Sequence, residues 1–331
     1  MDEPLTIAEI KAIPQDRKER FQAVLLLKRA DIRTARNGSP YLQAELADKT
    51  GSMTVNCFDG SVPFNAFSEA APGVVARVGG TTEYFNDRLS PKLSQVEILD
   101  DDAAGPWLNR LVDSAPEDAD DLWSELQAAV AAIPHDGLRL TVEKALETWG
   151  DGFRTRAAAI AMHHAYRNGL LEHTVHMVRA CRSLLPHYPE VDASLALAGV
   201  ILHDLGKVTE YTGDRVTGKS RSGILQGHVV LGYRMVRKAG LQAGLDEDLL
   251  ERLEHIVLSH QGEPAWGAAV MAATPEAVFV SMIDNLDAKM GMVQAALRKR
   301  QPGEVFADYH PGLQATLLTE PPHSAAKEPS P

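Results

Sequence analysis

The sequence predicts a multi-domain α+β chain: a small antiparallel β-barrel followed by an all-α domain. Three observations predict it. Short strand-like runs parted by Gly-rich turns fill the first hundred positions, helical periodicity fills most of the rest, and nine of twelve histidines fall between His163 and His260. Strand runs of that spacing suit a barrel, and the later period of 3.6 suits packed helices.

The length of 331 residues accommodates two folded units at roughly 100 to 200 residues each. Composition is that of a globular protein, with 44% hydrophobic and 24% charged residues, which excludes collagen-like or wholly disordered chains. No apolar run approaches the roughly 18 to 20 residues of a membrane span. The N-terminus, MDEPLTIAEIKAIPQDRKER, lacks a basic start followed by an apolar stretch and does not read as a secretory signal. A cytoplasmic protein is therefore expected. Cys57 and Cys181 form no CxxC pair, so disulfide frameworks and thiolate zinc modules are excluded. Any metal must be held by histidines and carboxylates. The net charge of −12 argues against bulk electrostatic coating of nucleic acid and leaves room only for a local basic groove.

In chain order, residues 1–14 are an N-terminal segment. FQAVLLLKRAD, YLQAELAD and SMTVNCFDG are strands separated by turns at RNGSP and KTG, and GVVARVGGTTEYF and LSQVEIL complete the set. Five short strands in about 80 residues suit the OB-fold, with a sandwich fragment of the same length as the alternative, and 15–100 is expected to be an OB-fold domain that binds nucleic acid or, alternatively, a protein partner. Single strands need aromatic platforms in a basic groove. Tyr41, Phe58, Tyr84 and Phe85 are the stacking candidates, and Arg33, Arg36 and Lys49 the phosphate candidates. Strand parity places Phe58 with Asn56 and Thr54, away from Val55 and Cys57, which makes it the best exposed of them.

The acidic runs DDD at 100–102 and EDADD at 117–121 follow the barrel, and residues 101–145 are expected to form a helical linker. Helices are expected at 121–133, 138–149, 170–185, 193–205, 226–239, 246–260 and 275–300, most of them in a domain spanning 146–310. The tail 311–331, rich in Pro, Ser and charge at its end, is expected to be disordered.

Helical phase sorts the histidines. His173 shares a stripe with Leu170, Met177 and Leu184, whereas His176 lies with Glu172, Arg179 and Ser183 and is expected at the surface. His260 and His228 also face inward, and His255 faces water. For any one of these alone, a hydrogen-bonded core histidine is the simpler reading. The decisive segment is ASLALAGVILHDLGKV, an apolar helix that ends in His203 and Asp204. A carboxylate there is costly to bury without a cation, and it sits at the helix end that favours positive charge. Metal coordination answers both objections. Gly206 then allows a sharp turn that carries Lys207 back toward the site. Asp284 lies on a face of small residues, Ala277, Ser281, Ala288 and Gly291. The inward set His173, His203, Asp204 and Asp284 suits Mn²⁺, Fe²⁺ or Zn²⁺ better than Ca²⁺, with Co²⁺ and Mg²⁺ as further choices. His228 and His260 are candidates for a second ion, with Asp204 as the bridge.

With these residues in view, HDLGK and the H…HD…D pattern resemble the HD-domain metal-dependent phosphohydrolases. More narrowly, HHAYRNGLLEHT, LAGVILHDLGK, GHVVLG, LSHQG and DNLDAKM resemble the YhaM-type 3′-to-5′ exoribonucleases. That family carries an OB-fold ahead of its HD domain, and DIRTARNGSPYLQAELADKTGSMTVNCFD is similar to its barrel. The resemblance covers about residues 15–300. It implies the ligands His173, His203, Asp204 and Asp284, with His228 and His260 matching the extra histidines of binuclear members. One departure stands out: Gln261 occupies a position where the family often has a second histidine.

The expected activity is metal-dependent hydrolysis of single-stranded RNA from the 3′ end, with single-stranded DNA as an alternative strand. Asp204 is expected to orient the attacking water. Lys207 is read either as a phosphate contact or as a lysine satisfying helix carbonyls. His164 is read as a substrate contact or leaving-group acid, or as a helix cap, with His163 the weaker candidate. The competing functions are hydrolysis of small nucleotides and metal-stabilised nucleic-acid binding without catalysis. The acidic balance predicts a shallow salt dependence of binding. The oligomeric state stays open, with a homo-oligomer among the options, and no membrane partner is expected.

Overall fold

The computed structural model describes residues 3–85, 88–160, 164–300 and 303–321. His163 and the end of the Pro-rich tail lie outside these. The chain divides into two units, Met1–Ser114 with Gly213–Val216, and Ala115–Thr212 with Thr217–Pro331.

The first unit opens with α1 (Ile7–Ala12), followed by β1 (Arg20–Thr34), β2 (Pro40–Asp48) and β3 (Gly51–Phe58). Then come α2 (Val62–Ser68), β4 (Val75–Thr81), β5 (Tyr84–Phe85), β6 (Arg88–Leu89) and β7 (Lys92–Leu99). Five strands form one antiparallel sheet in the order β3-β2-β1-β4-β7. The sheet is open among the described residues, since no ladder joins β3 to β7, but its size and connectivity are those expected of an OB-like barrel. β1 belongs to two ladders. Its first half pairs with β4 and its second half with β2, and the register slips between Leu27 and Arg29. Such a bulge bends a long strand so that both neighbours can use it. Alternation places Phe21, Ala23, Leu25 and Leu27 in the barrel core. Val24 and Leu26, on the other face, pack with Ala104 and Leu111 of the short helices α3 (Asp101–Ala104) and α4 (Leu108–Leu111).

The second unit contains α5 (Ala119–Ala131), α6 (Asp136–Thr155), α7 (Gly169–Leu184), α8 (Ala193–Leu202) and α9 (Lys207–Glu210). The strands β8 (Tyr211–Thr212) and β9 (Gly218–Lys219) lead to α10 (Arg221–Ala243), α11 (Glu247–Ser259) and α12 (Pro275–Lys299). A terminal hairpin pairs β10 (Phe306–His310) with β11 (Ala315–Leu318). The part of the tail from 311 that is described is therefore ordered by strand pairing. α8 is buried from Ser194 to Leu202, which is why its apolar sequence shows no polar stripe. It is the central helix of the bundle, and its C-terminal end opens inside the unit.

The acidic segment read from sequence as a linker does more than connect. α5 supplies Leu122, Leu126, Ala129 and Val130, and α6 supplies Leu138, Val142 and Ala145, to the same core as α7 and α8. The acidic side chains mark the solvent face of helices whose other face is core. Leu126 is fully buried, so Leu126→Ala is expected to destabilise the helical unit by about 3 kcal/mol, read as a lowered denaturant midpoint for the helical far-UV signal.

Candidate metal centre

The helical unit gathers its inward histidines from the ends of several helices. His173 lies on the first turns of α7, His203 at the end of α8, His260 at the end of α11, and Asp284 in α12. His228 follows Gly227, whose backbone (φ 68°, ψ 161°) interrupts α10. Gly is the residue that reaches this conformation without strain.

These side chains form two adjoining clusters. In the inner one, His173 Nε2 stands 3.2 Å from His203 Nε2 and 3.4 Å from Asp284 Oδ1. Asp204 Oδ2 lies 3.4 Å from His203 Nε2 and 3.8 Å from His173 Nε2. In the outer one, the other oxygen, Asp204 Oδ1, lies 3.6 Å from His228 Nε2 and 3.5 Å from His260 Nε2. Each carboxylate oxygen of Asp204 thus faces one cluster. The sets His173, His203, Asp204 and Asp204, His228, His260 are each close enough to hold an ion.

Two observations test whether these residues fit a metal. Asp204 Oδ1 is buried with no hydrogen-bond partner, a costly condition for an acceptor unless something positive receives it. Three of the four imidazoles are also anchored by the same nitrogen, and the fourth has a carboxylate beside it. His203 Nδ1 donates to Val200 O at 2.8 Å and His260 Nδ1 to Val257 O at 2.7 Å. His173 Nδ1 donates to Asp287 Oδ2 at 2.7 Å, and His228 Nδ1 lies 3.1 Å from Glu210 Oε2. With Nδ1 carrying the proton, every Nε2 offers a lone pair inward, the arrangement of ligating histidines. The residues fit.

The local charge agrees. Burial pulls His173 down, but Asp284 and Asp287 push it up to about 10. Burial raises Asp284, yet bonding to His173 and the charge of His203 lower it to about 2. Asp204 is raised by burial and held well below the carboxylate range by Lys207, His203 and His260. The pocket therefore demands cationic charge, which a metal satisfies by displacing protons. Lys207 is buried with Nζ 2.5 Å from Asp204 Oδ2, and Asp204 raises it against the effect of burial.

Gly206 works differently from the sequence reading. Its backbone is ordinary right-handed helix, so no sharp turn requires glycine. A Cβ there would lie 1.9 Å from the carbonyl oxygen of His228 and 2.5 Å from the backbone nitrogen of Gly232. The missing side chain is what lets α10 bring His228 to Asp204. Gln261 reaches the outer cluster, its amide nitrogen 3.3 Å from His228 Nε2 and 3.0 Å from His260 Nε2.

His164 and His176 depart from expectation. The His164 ring is buried, with both nitrogens on other side chains: Nδ1 at 2.8 Å from Glu172 Oε2 and Nε2 at 2.9 Å from Asp287 Oδ2. It stands behind His173 and presents no ring nitrogen to the inner cluster. His176, expected at the surface, lies between Glu117 and Asp287. Asp287 itself was not singled out in the sequence. Its spacing of three from Asp284 in DNLDAKM was the available signal, because i and i+3 share a helix face. Burial raises the Asp287 carboxyl, but bonds from His164, His173 and His176 hold it far below the ordinary range.

In the first unit, the register aligns Arg33 with Tyr41 and Tyr41 with Phe58. The three form one row across β1, β2 and β3, on the face opposite the buried Leu42, Ala44, Val55 and Cys57. Phe58 is 65% exposed. Arg36 is exposed in the adjoining β1–β2 turn. Lys49 lies in the turn at the other end of β2, about 25 Å away along a strand rising 3.3 Å per residue. Phe85 is also exposed, whereas the Tyr84 hydroxyl donates to Ile13 O.

Residues 170–289 match the model of the HD domain, so the class is that of proteins with a helical HD domain. Over 286 residues the chain is 30% identical to the 3′-5′ exoribonuclease YhaM of Geobacillus sp. (strain WCH70), covering 86% of this chain and 87% of that one. The same identity and length hold for the 3′-5′ exoribonuclease YhaM of Bacillus pumilus (strain SAFR-032), covering 86% of this chain and 90% of that one. The chain belongs to the YhaM 3′-5′ exoribonuclease family. Among solved structures, a chain of "Structure and Conformational Change of a Replication Protein A Heterotrimer Bound to ssDNA" aligns with 30% of this chain and 80% of its own at 22% identity. The TM-score of that alignment is 0.23. No helix among the described residues is long and apolar enough to cross a membrane.

A ligand that binds only the folded state stabilises it by about 2.7 kcal/mol at a hundredfold excess over Kd. Stripping the protein with chelator is accordingly expected to lower its melting temperature, and added Mn²⁺ to restore it, with Asp204→Ala insensitive to both.

Proposed function

We propose that this chain is a metal-dependent 3′-to-5′ exoribonuclease that hydrolyses phosphodiester bonds at single-stranded RNA ends and releases nucleoside monophosphates, with single-stranded DNA as the alternative strand. The observation that carries the reading is Asp204, whose two oxygens face separate clusters of imidazole lone pairs. The polarity and the RNA come from the relatives, which are named 3′-5′ exoribonucleases.

In this reading His173, His203, Asp204 and Asp284 hold one ion, and Asp204, His228 and His260 hold a second. Imidazole with carboxylate suits Mn²⁺ first, with Fe²⁺, Zn²⁺, Co²⁺ and Mg²⁺ as alternatives. Bound divalent ions supply Lewis acidity, which acidifies water and neutralises charge on phosphoryl oxygens. The protein contributes geometry. Asp204, with one oxygen toward each cluster, would serve both ion positions and orient the attacking water. Lys207, held against Asp204, offers a compact ammonium to a phosphoryl oxygen of the scissile group. His164 is reassigned from a substrate-contacting acid to a residue that supports His173 from behind. In the sheet unit, Arg33, Tyr41 and Phe58, with Arg36 beside them, form the strand-binding face by stacking and phosphate contact. We place the activity in the cytoplasm, where RNA substrates reside.

With 5′-labelled single-stranded RNA and Mn²⁺, a sequencing gel is expected to show a ladder descending from the 3′ end, and Asp204→Ala is expected to leave the RNA intact. Intact RNA with wild-type protein of verified metal content overturns the proposal. Phe58→Ala is expected to weaken binding of the same RNA by about 1 to 3 kcal/mol in fluorescence anisotropy, with metal content unchanged. Lys49→Ala, at the far end of the hairpin, is expected to weaken it less.

A further inference from the structure

Behind the inner cluster lies a second set of titratable groups that the proposed chemistry does not use. Asp287, one turn after Asp284 on α12, faces three imidazoles: His173 Nδ1 at 2.7 Å, His164 Nε2 at 2.9 Å and His176 Nδ1 at 3.3 Å. Each of the two outer histidines is held again on its far side. His164 Nδ1 meets Glu172 Oε2 at 2.8 Å, and the Tyr166 hydroxyl bonds the same carboxylate. His176 Nε2 meets Glu117 Oε1 at 2.9 Å, and Arg179 donates to both oxygens of Glu117 at 2.8 Å.

By donor type alone, His164, His176 and Asp287 are close enough to hold an ion of their own. The buried-acceptor test separates them from the metal centre. Asp204 Oδ1 lacks a hydrogen-bond partner, whereas no side-chain atom of Asp287, His164, His176 or Glu172 is among the buried atoms that lack one. Asp287 Oδ2 is taken by His164 and His173, and Oδ1 faces His176 Nδ1 at 3.3 Å, so the carboxylate is already surrounded by imidazoles. The backbone around it is also constrained. His164 adopts φ 48°, a conformation unusual for a residue with a side chain. At Gly169 a Cβ would lie 2.1 Å from the His164 carbonyl oxygen, so glycine there lets the loop close onto the start of α7. Strain of that kind persists where the surroundings hold it.

We infer that Asp287 is a positioning residue for the metal centre: it holds the Nδ1–H of His173 so that Nε2 points at the inner ion position, and His164 and His176 brace Asp287. The inference rests on the reading of His173 as a metal ligand. Outer partners of ligating histidines fix ring orientation and basicity, and their loss typically weakens metal binding by 10- to 100-fold.

The test is calorimetric titration of chelator-stripped protein with Mn²⁺, together with the visible spectrum of the Co²⁺-loaded protein, for wild type, Asp287→Asn and His176→Ala. Asp287→Asn keeps the size of the side chain but offers its three imidazoles one good acceptor in place of two. It is expected to weaken the tighter ion about 10- to 100-fold, to shift the Co²⁺ bands, and to leave the number of ions at saturation unchanged. His176→Ala, at the partly exposed end, is expected to weaken the ion less with the same final count, and it carries the test if Asp287→Asn does not fold. Unchanged affinity and spectrum in the folded variants overturn the inference. Loss of one ion per chain at saturation in His176→Ala also overturns it, because the cluster would then be a ligand set. Wild-type protein that takes up no ion removes the metal reading itself, an outcome distinct from wild type and variant loading alike.

Discussion

A buried carboxylate at the end of a buried helix is the constraint on which the helical unit depends. Asp204 follows α8, every residue of which from Ser194 to Leu202 is buried. One of its oxygens has no hydrogen-bond partner. A bare charge so placed would be excluded from a stable core. The surrounding structure answers with Lys207 on one oxygen and imidazoles from four different elements around both. Helices α7, α8, α10 and α11 each bring an imidazole to this carboxylate, and α12 adds Asp284 beside His173. Gly206 and Gly227 are the two backbone concessions that allow α10 to take part, one by close approach and one by a positive φ.

The centre is layered outward from that point. Nearest Asp204 are the Nε2 atoms, and behind three of them the acceptors that hold the Nδ1–H: two main-chain carbonyls and Asp287, with the Glu210 carboxylate beside His228 Nδ1. The carbonyls belong to the last turns of α8 and α11, three residues before His203 and His260. In these two cases the helix end supplies the acceptor itself, since its last carbonyls lack partners within the helix. His173 sits within α7, where carbonyls are already used, so a carboxylate from α12 is needed. That difference explains why Asp287 and its bracing histidines exist on one side of the site and have no counterpart at His203 or His260.

The sheet unit solves a different problem. β1 is long enough to join two ladders, and its bulge between Leu27 and Arg29 lets one strand serve both. On the outer face of the second half of β1 with β2 and β3, Arg33, Tyr41 and Phe58 come into one row. An exposed aromatic beside an arginine has little reason to sit there for stability, which is why this row supports strand recognition.

Much of this was legible in one dimension. The alternation in SMTVNCF assigned Phe58 to the outer face, the apolar run before HDLGK announced a central helix, and the phase of GLLEHTVHM turned His173 inward. Each is a period-two or period-3.6 pattern, and such patterns report which face of an element meets the core. They do not report which other elements complete that core. α5 and α6 read as an acidic linker because their exposed faces are acidic, and only packing shows their other faces inside the bundle. His176 was read as surface for the same reason: a polar helix face looks exposed until Asp287 and Glu117 arrive from segments more than fifty residues away in sequence. By itself the sequence determined most of the elements, many of their inward faces and the histidines and aspartates that could hold a metal, because these follow from local periodicity and residue chemistry. Tertiary structure alone decided that Asp204 faces two clusters, that Gly206 is glycine for space, and that Asp287 stands behind His173, because close approach between distant segments has no period to read.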